Sequence, residues 1–223
     1  MRALLVCAAP LPGASGLVAS LAREADAVIA VDGGGAVCRD AGVLPDVLLG
    51  DFDSLGEDVV DEFSGTGVEV VRFSSEKDAT DLELAILHGV SRGVTEIVVT
   101  AATSGRLDHT LGVVAALTAA CDLKPRIVEP DMDLWLMADR GRSALTLDAD
   151  VGAIVSLMPW AGAAEVSIRG VRWPLDHRWL APDVTLGISN VIAEPGGAHV
   201  TVHRGVALVL MPKDSTEAPS DMR

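Results

Sequence analysis

Basic residues are scarce: 17 Lys and Arg stand against 32 Asp and Glu, a formal net charge of -15 over 223 residues. Such a chain repels a phosphate backbone and has no basic stripe, which speaks against nucleic acid as a partner. Cysteine is scarce too. Cys7, Cys38 and Cys121 are odd in number, widely spaced and in no C-x-x-C or His-paired pattern, so neither a disulfide framework nor a zinc site is expected. A reducing cytoplasm suits them. No window reaches the roughly 18 apolar residues of a membrane span. The apolar start, Ala3 to Ala9, is cut off by Pro10, Pro12 and Gly13, and reads as a buried first strand, not a signal peptide. No repeat of about 20 to 50 residues is present. The phosphate-cradling pattern G-x-x-x-x-G-K-[ST] is also missing, which disfavours a P-loop kinase; any phosphate handling is expected to rest on a metal, Arg106 and helix amides.

About half the chain, 49%, is apolar, enough for a sizeable core. Short unbroken apolar runs at Ala3 to Ala8, Ala27 to Val31, Val47 to Leu49, Val68 to Val71, Glu96 to Thr100 and Arg126 to Val128 alternate with helical stretches. Strands buried on both faces of a parallel sheet have that character, and Thr80 to Arg92 and Leu107 to Ala120 are long enough to be covering helices. After Asp139-Arg140-Gly141-Arg142 the helical period ends. Short runs bounded by Gly, Pro and Asp follow: Ser143 to Leu147, Ala153 to Met158, Ala164 to Ile168, Val184 to Ser189, His199 to Val202 and Val206 to Leu210. The expected fold is an α/β N-terminal domain with a mostly parallel sheet over 1–140, then a small all-β sandwich over 141–212. Residues 213–223 read as a frayed tail.

Sheets of this kind bind ligands at the carboxyl ends of their strands, and the acidic motifs fall there. Pro45-Asp46-Val47-Leu48-Leu49-Gly50-Asp51-Phe52-Asp53-Ser54 is an apolar strand that ends in Gly and presents two carboxylates. If the segment stays extended, Asp51 and Asp53 point the same way while Phe52 enters the core. Two gathered carboxylates suit a magnesium ion; the competing reading is a solvated turn whose Asp caps the next helix. In Lys77-Asp78-Ala79-Thr80-Asp81-Leu82-Glu83, Thr80 and Glu83 form a capping box, and the helix buries Leu82, Ala85, Ile86 and Val90. Asp81 is accounted for by the helix dipole. Asp78 precedes the cap and is the better ligand candidate, and Lys77 is either a phosphate contact or a solvated charge. In Thr103-Ser104-Gly105-Arg106-Leu107-Asp108-His109-Thr110, Arg106 is placed to clamp phosphate at a helix start. Asp108 also reads as a first-turn acid, and His109 as a packed residue. Val31-Asp32-Gly33-Gly34-Gly35 permits close backbone approach to a nucleotide, yet misses G-x-G-x-x-G.

The ordered set D-G-G-G, P-D-x-x-x-G-D-F-D-S, K-D-A-T-D-L-E and G-R-L-D-H-T-L resembles the thiamine pyrophosphokinase family, in detail from Asp26 to Leu117 and more loosely to Leu210. The resemblance implies an ATP-binding α/β domain, a β-sandwich, and a homodimer in which thiamine lies between one subunit's catalytic domain and the other's sandwich. It implies that Asp51, Asp53 and Asp78 hold Mg²⁺ and that, with Arg106 and Asp108, they form the catalytic set. Asp46 and Asp81 are implied to support the same acidic cluster, and they join Asp32, Gly33, Gly34, Lys77 and His109 as the nucleotide-side residues. Ser189 and Asn190, in Gly187-Ile188-Ser189-Asn190, and Trp173 are the implied thiamine contacts, against a reading as turn and core residues. Three departures stand out: no Asn follows the glycine run, Gly112-Val113 replaces Ala-Asn, and Ile188 replaces Thr. The expected reaction is diphosphate transfer from ATP to the thiamine hydroxyl, releasing AMP. The rivals are a diphosphokinase acting on a hydroxymethylpterin, and a non-catalytic nucleotide or thiamine-diphosphate sensor.

Overall fold

The structure, a computed structural model, describes residues 1–9, 12–53, 55–76, 78–103 and 105–213. Its contacts divide the chain into two compact units, one formed by Met1–Leu123 with Ile127–Pro130, the other by Lys124–Arg126 with the chain from Asp131 onward.

The first unit reads β1 (Arg2–Val6), α1 (Ala14–Ala22), β2 (Ala27–Val31), α2 (Gly34–Asp40), β3 (Val47–Gly50), α3 (Glu57–Ser64), β4 (Glu69–Arg72), α4 (Asp81–Ser91), β5 (Glu96–Thr100), α5 (Leu107–Ala119) and β6 (Arg126–Val128). The strands lie in the order β6-β5-β1-β2-β3-β4, and the pairs β1–β2, β1–β5, β2–β3 and β3–β4 are parallel. Both faces are covered, which is why Ala3 to Val6 and Val47 to Gly50 are apolar or glycine without alternation and fully buried. One cluster under α1, α2 and α3 joins Leu4, Val6, Val18, Ala30, Cys38, Leu48, Phe52 and Phe63. The chain order reverses between β1 and β5, so the first unit has its switch point there, at the carboxyl ends of the strands.

The capping box of α4 forms as expected: Glu83 N–H donates to Thr80 Oγ1 at 3.3 Å and Thr80 N–H to Glu83 Oε2 at 2.8 Å. The helix buries Leu82, Ala85, Ile86 and Gly89, while Val90, expected inside, is 48% exposed. A glycine takes the inner position because the helix meets Val94 so closely that a Cβ at 89 would lie 3.3 Å from Val94 Cγ2.

The second unit contains β7 (Met132–Ala138), β8 (Ala144–Leu147), β9 (Ile154–Arg169), β10 (Leu175–Leu180), β11 (Asn190–Val191) and β12 (Ala198–Pro212). β9 and β12 pair antiparallel over most of their length, each flanked by shorter strands: β10 and β11 on β9, β7 and β8 on β12. Both bend at matching places, where Ala161, Gly162 and Gly205 have positive φ and the register shifts between Arg204 and Val206. The two halves fold over a shared core of Val155 and Leu157 with Val166 and Ile168 from β9, and Val200 and Val202 with Ala207 and Val209 from β12. The result is a β-rich domain folded as two layers from two long bent strands.

Three sequence expectations need correction. The runs at Ala153 to Met158 and Ala164 to Ile168 are one strand, as are His199 to Val202 and Val206 to Leu210, because glycine at a bend bridges what reads as a break. Val184 to Ser189 is a turn: Val184 N–H bonds Ala181 O and Ile188 N–H bonds Thr185 O, leaving Val184, Leu186 and Ile188 exposed. Finally, the division falls at residues 124–131, before residue 140, because β7 pairs with β12 along its whole length.

Two helical glycines give a test of opposite sign. A Cβ at Gly34 would lie 1.9 Å from Val6 O, whereas at Gly16 nothing stands within 4 Å. Urea denaturation should show Gly34→Ala losing about 3 kcal/mol through overpacking and Gly16→Ala gaining about 0.5–1 kcal/mol from reduced chain entropy.

Candidate functional site

At the carboxyl ends of β2, β3 and β5 the first or second residue beyond the strand is left-handed without being glycine: Asp32 (φ 47), Phe52 (φ 62) and Ala101 (φ 52). Each such residue costs about 1–3 kcal/mol and persists only where surrounding packing enforces it. At Phe52 the enforcement is visible, since its ring is buried in the core with Leu48, Leu55 and Val59. The carboxylates of Asp51 and Asp53 do converge, but through a left-handed residue between them, not through the alternation of an extended strand.

Asp32 completes the group. Ligand oxygens of Asp32, Asp51 and Asp53 all lie within 4.8 Å of one another. Asp32 Oδ1 accepts Phe52 N–H at 3.1 Å, and Asp51 Oδ1 accepts Asp53 N–H at 3.2 Å. Asp32 approaches so closely because residue 50 is glycine: a Cβ there would stand 2.9 Å from Asp32 Cα. Asp51 foremost, then some loss of hydration, then Asp32 and Asp81, push the carboxyl of the exposed Asp53 above its ordinary range. Three hard carboxylate oxygens that repel one another are a donor set that fits a divalent cation such as Mg²⁺.

Arg72, at the end of β4 and level with Gly50, brings a positive charge to the same rim. Its guanidinium lies 4.8 Å from the Phe52 ring centroid, and Nη1 approaches Asp51 O at 3.5 Å. Arg72 was missed in the sequence; its signal is an arginine closing an apolar run.

The other first-unit candidates are distributed differently. Asp78 is exposed and outside the carboxylate group; Asp81, at the start of α4, is the acid from that motif whose charge acts on Asp53. Lys77 lies outside the described residues, as do Ser54 and Ser104. Asp46 sits at the opposite, amino end of β3, where its Oδ2 accepts Val28 N–H at 2.7 Å; it fastens β2 to β3 and cannot support the acidic group. Gly34 and Gly35 meet Val6 backbone and the Leu48 and Leu55 side chains, so packing accounts for both, while Gly33 is the N-cap of α2. Arg106, the N-cap of α5, grips Asp108 with two nitrogens, and both are exposed. That contact holds the Asp108 carboxyl below, and the Arg106 guanidinium above, their ordinary ranges. His109 is exposed, not packed in the core.

Behind the rim, Glu129 follows β6 and is 0% exposed, with oxygens that accept hydrogen bonds from the turn after β5. It too was missed. A lone acid after a buried Ile-Val pair, followed by proline, was the available signal.

In the second unit, Trp173 is 54% exposed and Arg172 stacks on its ring, 5.0 Å from the centroid. Asn190 is 3% exposed and its amide is committed to the backbone: Oδ1 accepts the N–H groups of Trp173 and Val191, and Nδ2 donates to Trp173 O at 2.8 Å. Asn190 therefore presents Trp173, spending Oδ1 and one of its two Nδ2 hydrogens on the backbone. Ser189 is exposed and left-handed (φ 57), with its N–H donated to Ser156 Oγ.

Two family models match this chain. "Thiamin pyrophosphokinase, catalytic domain" covers residues 18–128, and "Thiamin pyrophosphokinase, vitamin B1 binding domain" covers residues 144–207. Thiamine pyrophosphokinase 1 of Oryza sativa subsp. japonica is 26% identical over 67% of this chain, a match spanning 60% of that relative's length. Thiamine pyrophosphokinase of Bacillus subtilis (strain 168) is 26% identical over 83% of this chain and 87% of its own. The crystal structure of the Bacillus subtilis thiamine pyrophosphokinase superposes with a TM-score of 0.80 at 23% identity, covering 96% of this chain and all of that one, a likeness of fold.

The raised Asp53 carboxyl fixes the sign of a metal test. Over the interval above the ordinary carboxyl value the folded chain holds a proton that the unfolded chain has released, so stability falls as pH rises through it. Mg²⁺ should therefore raise Tm at neutral pH, with the gain fading as pH drops into the carboxyl range. Asp53→Asn should raise Tm in metal-free buffer and lose most of the Mg²⁺ response; an undiminished response would refute the site.

Proposed function

The chain belongs to the thiamine pyrophosphokinase family, and on that premise we propose that it transfers a diphosphate from ATP to the hydroxyl of thiamine, releasing AMP. The observation that carries the proposal is the Asp32–Asp51–Asp53 group at the strand ends of the unit matched as catalytic. The thiamine hydroxyl oxygen attacks the β-phosphorus. That bond forms as the bond from the β-phosphorus to the oxygen bridging to the α-phosphate breaks, so AMP departs with the bonding pair.

Phosphoryl transfer of this kind needs little covalent help from a protein; its catalysis is positioning plus charge stabilisation. Asp32, Asp51 and Asp53 are the residues that would hold Mg²⁺. When bound, the ion supplies neutralisation of phosphate charge. Arg72 and Arg106 are the side-chain cations for the phosphate oxygens, Arg72 beside the acids and Arg106 at the start of α5. Asp108, held low by Arg106, is a weak proton acceptor, which leaves the hydroxyl proton to solvent or to another carboxylate. Trp173, kept half out of the second unit by Asn190, is the aromatic face we assign to the thiamine rings.

The pterin and sensor readings have no supporting observation: both matched models are thiamine pyrophosphokinase domains. A homodimer and a cytoplasmic setting complete the proposal. For the latter, Cys7, Cys38 and Cys121 are thiols, not disulfides, and no helix among the described residues is long and apolar enough to cross a membrane.

Incubation with ATP, Mg²⁺ and thiamine should yield AMP and thiamine diphosphate in equal amounts, read by phosphorus NMR; no AMP would overturn the proposal. Asp51→Asn should lower kcat by about 10²-fold or more with unchanged circular dichroism. Light scattering should return twice the 23.1 kDa chain mass, and a monomer under assay conditions would remove the dimer.

A further inference from the structure

Glu129 is completely buried, and a carboxylate taken out of water is costly unless its lone pairs are filled. They are filled from one short segment. Oε2 accepts Ala101 N–H at 3.0 Å and faces the Thr100 hydroxyl at 3.5 Å. Oε1 accepts Ala102 N–H at 2.8 Å, Thr103 N–H at 3.2 Å and the Thr103 hydroxyl at 3.2 Å. Three consecutive backbone N–H groups thus converge on one anion, around a left-handed Ala101 (φ 52). Successive N–H groups in such a turn form an anion-binding concavity. This one lies where β5 turns toward α5, beside the switch point, a place where nucleotide-binding α/β folds commonly receive phosphate.

We propose that Glu129 is a positioning residue for the phosphate end of the site: its carboxylate occupies the concavity after β5, closes it to substrate phosphate, and fixes the backbone of residues 101–103, which precede Arg106 in the chain. ATP is then met by side-chain cations and the acidic group instead of by the N–H groups of residues 101–103. The inference rests on the diphosphotransferase reading above. Burial pushes the Glu129 carboxyl above its ordinary range while the N–H groups of Ala102, Ala101 and Thr103 pull it back down; Cys7, whose N–H bonds Thr100 O, lies beside it, and burial first, then Glu129, push that thiol up to about 12.

Glu129→Gln preserves size but turns an NH₂ toward one set of N–H donors. KM for ATP should rise about tenfold, with KM for thiamine unchanged within about twofold. The amides of 101–103 should lose protection in hydrogen exchange, and Cys7 should alkylate faster at high pH. Thr103→Val, which removes one donor and leaves Glu129 in place, should give a smaller rise of about two- to fivefold, and it decides the question if Glu129→Gln does not fold. A fall in Tm with both KM values unchanged, or an equal rise in both, would reduce Glu129 to a scaffold role and overturn the proposal. Should the wild type release no AMP, the functional reading fails by itself. ATP affinity by calorimetry together with amide exchange then decides the positioning role: weaker ATP binding in Glu129→Gln supports it, and equal binding overturns it.

Discussion

Three carboxylates within 4.8 Å of one another repel, and much of the first unit is arranged so that they stay together. Phe52 cannot relax out of its left-handed conformation without withdrawing a buried ring from the core. Gly50 cannot acquire a side chain without displacing Asp32. Asp32, left-handed itself, spends a carboxylate oxygen on Phe52 N–H, so the end of β2 is fastened to the end of β3 by the same atom set that makes the group acidic. The buried parallel strands β1, β2 and β3 supply the rigidity against which this strain is held.

The net charge of -15 acquires a local meaning from this arrangement. Excess acid over a whole surface says little, but here a fraction of it is gathered against its own repulsion at the place where an α/β sheet presents ligands. Positive charge is correspondingly local. Arg72 stands beside the acids and Arg106 is paired with Asp108, so under the proposed reading these few side chains would meet phosphate where the sequence has no G-x-x-x-x-G-K-[ST] loop.

Legibility in the sequence followed burial. β2, β5 and β6 match the expected apolar runs residue for residue, because strands covered on both faces announce themselves without needing a partner to be known. The capping box at Thr80 and Glu83 was legible because it is local. What escaped was set by tertiary contact. Asp32 and Asp51 are far apart in sequence and meet only because β2 and β3 pair in one register. Asp46 looked like part of the same motif as Asp51, yet a four-residue strand separates them to its opposite ends. In the second unit, Gly162 and Gly205 read as ends of strands, whereas paired bends in β9 and β12 carry both strands through them.

Glu129 and Asn190 show how such tertiary roles differ from the roles of exposed motif residues. Each is buried, each is polar, and each spends its hydrogen-bonding capacity on the backbone of a neighbouring turn. Leaving such a group unpaired would cost about 1–3 kcal/mol, and more for a charged one, so a departure of the turns it holds is opposed by at least that much. Arg106 and Trp173, which follow or lie within those turns, are in contrast more than half exposed. A buried polar group that anchors the backbone of an exposed, chemically capable side chain limits the entropy lost when that side chain meets a ligand. By this criterion Asn190, although it sits in a motif that suggests ligand contact, belongs with Glu129, and Trp173 belongs with Arg106.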